Sequence, residues 1–395
     1  MGKKTWMRPR HRLIRNLAYC ALAPFVWFKY GAKIEKFKDQ QKRPYLILLN
    51  HTTVFDQFFI GMAIKGPVYY MATEDIFSNG WVSSLIRYLI APIPIKKQTT
   101  DLRAVKTCLQ IAKEGGTIAI APEGNRSYSG KTEYMNPAIA PLARKLGLPI
   151  ILFRIEGGYG VQPRWSDCIR RGKIRVYASR VVQPEEYATM TNEELMAVIE
   201  KELFVDDAKA DACYYHKKSA EYLERAIYIC PQCGLSSFES SGDTVACKKC
   251  GLSARYLPTT ELEGENLPYR FVNDWYEAQK KFINSWDPTA HTASPLYEEK
   301  ADLYEVIVYK KKALLQKDAP VILYGDRLIL NGQELSFKEI STITVLGRNK
   351  LNIYYNGRIF QLKSGKRFNA LKYVQIFHRY KNVLKGDEYG EFLGL

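Results

Sequence analysis

Short apolar runs alternate with amphipathic stretches over residues 40–205, and this alternation constrains the fold more than any other feature of the chain. Residues 45–49, 117–121 and 150–155 read as buried strands. Residues 101–113 and 138–146 carry helical spacing of apolar positions, and the pair Gly115-Gly116 marks a helix stop before the next strand. Strands interleaved with helices predict an α/β layer, a mixed sheet with flanking helices.

Polar motifs follow two of these strands. The run 45–49 leads into NHTTVFD, which sets His51 four intervening residues from Asp56. A carboxylate in reach of one imidazole nitrogen leaves the other to take a proton from a hydroxyl, and α/β folds place their sites at strand carboxyl ends. The run 117–121 leads into PEGNRS. There Gly124 permits close backbone approach to a ligand and Arg126 offers a planar fork for phosphate oxygens. Each motif alone is compatible with an ordinary surface loop.

Together, in this order and at this spacing, the motifs resemble the glycerolipid acyltransferase family typified by 1-acylglycerol-3-phosphate acyltransferases. That family carries Asn-His-x4-Asp, a strand ending in a basic residue, Glu-Gly-Thr-Arg-Ser, and a Pro opening a later strand. Asn50, His51 and Asp56 match the first. Lys96 and Lys97 end the run IPIKK, with Lys97 the better match. Glu123, Gly124, Arg126 and Ser127 match the third, and Pro149 precedes the strand 150–155. Asn125 stands in place of Thr, and Lys97 in place of the usual Arg, keeping charge but losing bidentate geometry. The resemblance covers roughly residues 10–205. It implies His51 and Asp56 as the catalytic pair and Lys97, Glu123, Gly124 and Arg126 as substrate contacts. The donor it implies is acyl-CoA or acyl carrier protein, and the acceptor is lysophosphatidic acid. Glycerol-3-phosphate or another lysolipid or amine are alternative acceptors. A non-catalytic lipid- or nucleic-acid-binding protein is the alternative from another class.

Four of the eight cysteines form two C-x-x-C pairs, Cys230/Cys233 and Cys247/Cys250, separated by thirteen residues. Each pair is followed by Gly (Gly234, Gly251), which eases a turn beneath a metal. Four thiolates close a tetrahedral zinc site, leave no position for substrate and make the metal structural. The pattern resembles a zinc ribbon; paired redox thiols are the other reading. Lys248 and Lys249 are the only basic residues between the first and last cysteine, which favours a structural or interaction module over a nucleic-acid binder.

Residues 301–385 are rich in short strand patterns with hairpin signals at Asn331-Gly332 and Asn356-Gly357. They end on a helix with Phe368, Leu371, Val374, Phe377 and Tyr380 on one face. The order resembles a pleckstrin-homology-like or GRAM-like barrel closed by a helix. At the other end, a basic stretch precedes the apolar run 17–28, too short to span a bilayer at ~18 or more apolar residues. It reads as an interfacial segment, a core helix, or a signal sequence, the last opposed by Pro24 directly after the possible cleavage site. A net charge of +17 favours anionic partners. The expected division is an interfacial segment (1–39), an acyltransferase domain (40–205), and a linker helix with a zinc ribbon at about 228–256 (206–300). A pleckstrin-homology/GRAM-like domain (301–385) and a tail (386–395) follow. The expected location is the cytoplasmic face of a membrane, peripheral or monotopic, against an anionic surface.

Overall fold

Leu46–Leu49 are buried at every position, so this strand lies inside a sheet covered on both faces. In the computed structural model, which describes residues 6–38, 44–95, 101–209, 211–307 and 310–387, it is β2 of a seven-stranded sheet. The strands are β1 (Ala32–Ile34), β2 (Leu46–Leu49), β3 (Val68–Thr73), β4 (Ile93–Ile95), β5 (Thr117–Ile120), β6 (Ile150–Glu156) and β7 (Ile174–Val182), in the order β1-β7-β6-β2-β5-β3-β4. Every pairing is parallel except β6 with β7. The sheet is therefore mixed, as expected. Because β2, β5 and β6 run side by side in parallel, residues just beyond each strand emerge at one edge.

The helices of this unit are α1 (Pro9–Tyr30), α2 (Asp56–Ala63), α3 (Trp81–Ile90), α4 (Leu102–Lys113), α5 (Ile139–Leu146), α6 (Gly158–Val161), α7 (Pro184–Ala188) and α8 (Asn192–Leu203). Leu46 and Leu48 share a buried cluster with Ile118, Ile150, Cys108 of α4, Ala143 of α5 and Ile199 of α8. The alternate residues Ile47 and Leu49 are equally buried on the opposite face, where Phe37 packs against Phe153. Asp101 caps α4 through the Arg103 and Ala104 N–H groups. Thr191 and Glu194 form a capping box on α8.

The chain divides into two units. Residues Met1–Pro163 and Ile169–Asp207 make the first; Arg164–Cys168 and Ala208–Leu395 make the second. The second begins with a short hairpin, β8 (Ile229–Cys230) and β9 (Gly234–Leu235), and a four-stranded sheet. That sheet comprises β10 (Phe238–Ser241), β11 (Thr244–Cys247), β12 (Ser253–Tyr256) and β13 (Leu262–Glu263). After α9 (Val272–Ser285) come β14 (Tyr297–Glu305), β15 (Ala313–Leu323), β16 (Arg327–Leu330), β17 (Gln333–Ser336), β18 (Ile340–Leu346), β19 (Lys350–Tyr355), β20 (Arg358–Lys363) and α10 (Leu371–Lys385). These strands form one antiparallel sheet ordered β17-β16-β15-β14-β20-β19-β18.

The expected C-terminal β-rich barrel closed by a helix is present at a coarse level as a half-barrel: among the described residues the end strands β17 and β18 do not pair, and α10 packs against β18. One expectation differs from the structure. The linker helix expected ahead of the cysteines, over the charged stretch 214–226, is not an α-helix; only Leu223–Arg225 form a helical turn. Tyr222 sits at φ +73, and the buried Glu224 and Arg225 pair with the more exposed Arg367 and Asp167, contacts that outweigh local helix propensity. β14 ends at Glu305. Residues 308–309, the tail from 388, and Lys96 and Lys97 lie outside the described residues.

Candidate active site

β2 delivers the Asn50-His51 pair. Asn50 is fully buried and ties the ends of two strands together: its Nδ2 donates to Ile155 O and its Oδ1 accepts from Ile155 N–H, both at 2.8 Å. The next residue, His51, is thereby held at the edge of the sheet. Its Nδ1 lies 2.7 Å from Asp56 Oδ2. Asp56 opens α2 and is only 1% exposed, while the His51 side chain is 28% exposed.

A buried carboxylate needs its lone pairs satisfied. The two threonines of NHTTVFD do this. Thr52 N–H donates to Asp56 Oδ2 at 2.7 Å, Thr53 N–H to Oδ1 at 3.0 Å and the Thr53 hydroxyl to Oδ1 at 2.7 Å. The loop between the two motif residues thus wraps the carboxylate and fixes it against one face of the imidazole edge. Chemically, this pair can hold a proton on Nδ1 and leave Nε2 to exchange one with a bound hydroxyl.

β5 delivers Glu123. Its Oε1 accepts the backbone N–H of His51 at 2.8 Å, so the third motif braces the first. Burial pushes the Glu123 carboxyl up to about 8, and the charges of Glu133 and Asp56 add to this. The His51 N–H works in the opposite direction. Ser127 and Ser129 then build a tight turn: the Ser127 hydroxyl accepts from Ser129 and Gly130 N–H, and the Ser129 hydroxyl donates to Glu133 at 2.8 Å.

A small open cleft sits at this edge. It is lined by Asn50, His51, Thr52, Glu123, Ser127, Gly130, Lys131, Thr132, Tyr159 and Val205. Of the residues expected from sequence, His51 and Glu123 line it and Asp56 lies directly behind. Gly124 turns the chain at φ +68 beside Glu123, and Arg126 is buried, 7% exposed, without being part of the lining. Sequence reasoning missed Lys131, Tyr159 and Val205. Lys131 follows the third motif closely and could have been found as its next cation. Tyr159 and Val205 had no local signal, because they reach the cavity only through the sheet order and the chain path after α8.

Similarity to known proteins falls on this unit. A family model described as Acyltransferase matches residues 32–156. Residues 32–156 therefore form an acyltransferase domain. Over 160 residues it is 20% identical to the 1-acyl-sn-glycerol-3-phosphate acyltransferase of Bacillus subtilis, covering 40% of this chain and 77% of that protein. Over 175 residues it is 21% identical to the chloroplastic 1-acyl-sn-glycerol-3-phosphate acyltransferase BAT2 of Brassica napus, covering 43% of this chain and 50% of that protein, so it spans about half the length of this relative. A solved structure of the 1-acyl-sn-glycerophosphate acyltransferase of Thermotoga maritima is 22% identical, with a TM-score of 0.40 over 49% of this chain and 80% of that one. The family match ends at Glu156, one residue before the turn that carries Tyr159.

The second unit holds the cysteine cluster. Cys230 and Cys233 flank the turn between β8 and β9; Cys247 ends β11 and Cys250 follows it. The two glycines after the pairs sit at φ +72 and +79. Cys230 Sγ is 3.5 Å from Cys250 Sγ, Cys233 Sγ is 3.6 Å from Cys247 Sγ, and all four sulfurs lie within 4.8 Å of one another. Thiolates bound at ~2.3 Å to a tetrahedral zinc stand about 3.8 Å apart, so the cluster fits a metal ion of that size.

Proposed function

We propose that the chain transfers a fatty acyl group from an acyl thioester to the free hydroxyl of lysophosphatidic acid, giving phosphatidic acid. The observation that carries this reading is the His51–Asp56 pair at 2.7 Å on the wall of a cavity, with Asp56 enclosed by three further donors from its own loop. Support for the acceptor comes from the relatives, which are 1-acyl-sn-glycerol-3-phosphate acyltransferases. In this mechanism His51 takes the acceptor proton as the hydroxyl oxygen attacks the thioester carbonyl. The tetrahedral intermediate collapses with loss of the thiolate, which leaves with the proton from His51. Asp56 keeps the proton on Nδ1 and stabilises the imidazolium. Arg126 and Lys97 are assigned to the acceptor phosphate by the family resemblance, with Lys131 as a third cation on the cavity wall.

The cysteine cluster is proposed to bind one zinc ion through Cys230, Cys233, Cys247 and Cys250, as a closed structural site that stabilises the second unit.

The membrane is the proposed source of substrate. No helix among the described residues is long and apolar enough to cross a bilayer. Yet α1 exposes Leu13, Leu17, Trp27 and Phe28, and α3, which packs on α1, exposes Trp81, Val82, Leu85, Tyr88 and Ile90. Arg10 joins the two helices, donating to Tyr88 O and lying over the Tyr88 ring. Neither helix carries a carboxylate, while Arg10, Arg12, Arg15, Lys29 and Arg87 supply positive charge. An apolar face with a basic rim suits the interface of an anionic leaflet.

The deciding experiment is an assay of purified protein with labelled acyl-CoA and acyl carrier protein donors against lysophosphatidic acid, glycerol-3-phosphate, monoacylglycerol and an amine acceptor. Transfer to lysophosphatidic acid above the others is expected. Selective transfer to a different acceptor, or none to any, overturns the reading.

A further inference from the structure

Half of the residues lining the cavity beside His51 come from three segments beyond the motif residues themselves, and two of these segments lie outside the matched region 32–156. Tyr159 belongs to the turn after β6, and Gly130, Lys131 and Thr132 to the turn after the third motif. Val205 belongs to the strap that leaves α8. One residue joins all three, through its side chain on one side and its backbone N–H on the other. Asp207, 3% exposed, accepts Gly157 N–H on Oδ1 at 2.9 Å and Tyr159 N–H on Oδ2 at 3.0 Å. Its own N–H donates to Gly130 O at 2.9 Å. The strap is paired to the same turn just upstream: Thr132 N–H donates to Val205 O at 2.9 Å and Val205 N–H to Thr132 Oγ1 at 3.0 Å.

The fit is tight. A Cβ on Gly130 would fall 2.6 Å from the Tyr159 ring, and one on Gly158 would fall 2.1 Å from Thr52 Oγ1. The Tyr159 turn is therefore wedged between the Gly130 turn and the loop that wraps Asp56. A small shift of this turn changes the space in front of His51 directly.

We propose that Asp207 is a positioning residue that sets the acceptor-side wall of the cavity by clamping the Tyr159 turn to the Gly130 turn. The proposal rests on the reading of His51 as the base for an acceptor hydroxyl. A carboxylate serves two N–H donors at once; an amide offers one oxygen and turns an NH2 group toward the second donor. The position also makes the clamp sensitive to pH. Burial pushes Asp207 up to about 7, its two N–H donors oppose this, and the nearby charges of Glu156 and Asp206 add to it. On the Gly130 side, Lys131 pairs in an antiparallel bridge with Asp206, the residue before Asp207. Protonation removes one strong acceptor and loosens the turn.

The test is steady-state kinetics of Asp207→Asn with lysophosphatidic acid and acyl donor varied separately. The acceptor KM is expected to rise about tenfold, with donor KM unchanged and kcat changing far less. Wild-type acceptor KM is expected to climb as pH falls through about 7, and that of Asp207→Asn to stay flat. Tyr159→Leu is expected to raise the same KM, and the double variant to be less than additive, as for residues acting through one contact. Should Asp207→Asn fail to fold, Tyr159→Leu and Val205→Ala carry the acceptor test alone. An unchanged acceptor KM in the folded variants, or a loss confined to kcat or to the donor, overturns the clamp. His51→Ala separates the two ideas. An active His51→Ala defeats the underlying reading, whereas an inactive His51→Ala with an unaffected Asp207→Asn defeats the clamp alone.

Discussion

The His51 cavity and the cysteine cluster are both built from short motifs, yet they are assembled in opposite ways. The cysteines are brought together by two tight turns within one stretch of chain, so the local sequence contains nearly the whole site. The cavity collects residues from Asn50 to Val205, and its members meet because β2, β5 and β6 are parallel neighbours. A local site can be read from spacing. A site at a sheet edge can be read only for the motifs that mark the strand ends, and its remaining wall depends on the topology.

The sharpest test of this contrast is His51→Ala. Loss of a general base costs ~10²–10⁴-fold in turnover, and acyl transfer is expected to fall by that amount while metal content is unchanged. Near-normal turnover by the folded variant removes His51 from the mechanism. The reciprocal change, Cys233→Ser, is expected to lower the metal stoichiometry measured by elemental analysis and to make unfolding of the second unit easier. It leaves the chemistry at His51 untouched, because Cys233 belongs to a closed site. A metal-free wild-type protein prepared without chelator would contradict the zinc assignment.

Smaller effects probe what surrounds the two sites. Arg126→Ala is expected to cut kcat/KM for lysophosphatidic acid by about ten- to a hundredfold and to affect monoacylglycerol far less. A charge-assisted contact is worth roughly 1.5–3 kcal/mol and each decade costs ~1.4 kcal/mol. Equal losses with both acceptors assign the buried Arg126 to support of its loop instead. Lys131→Ala is expected to act in the same direction but less strongly, as a point charge does. On the outer face, Phe28→Ser with Trp81→Ser is expected to reduce binding to anionic vesicles several-fold without loss of fold, since both side chains are exposed. Deleting α1 is a poorer test because it also removes the buried Val26 and Tyr30.

The smallest effect is in stability. Glu123 is raised from 4.5 to about 8 in the folded protein. Its stabilising contribution is complete below about pH 4.5 and is lost as pH rises through about 8. Glu123→Gln, which keeps an oxygen for the His51 N–H, is expected to gain Tm relative to wild type between pH 5 and pH 8.5. About 1 kcal/mol corresponds to ~2–4 °C for a unit of this size. A Tm difference that does not change with pH removes the buried charge as the cause.

Much of this molecule was legible in the amino-acid sequence because the relevant forces are local. The all-apolar runs could only be buried strands, and the C-x-x-C spacing could only bring sulfurs together. The spacing of His51 and Asp56 allowed a contact that a single loop could close. The helical spacing over 101–113 predicted α4, whose start Asp101 caps with its own side chain. Where local propensity met a stronger tertiary demand, it lost: the charged stretch around Glu224 and Arg225 gave up its helix as these two buried residues paired with Arg367 and Asp167. Sheet order likewise lay beyond the sequence. It depends on which strands pair across more than a hundred residues, and it decided that Tyr159, Val205 and Asp207 stand at the His51 cavity. It also left the C-terminal sheet open between β17 and β18, because closure depends on pairing two specific edges and no single segment encodes that.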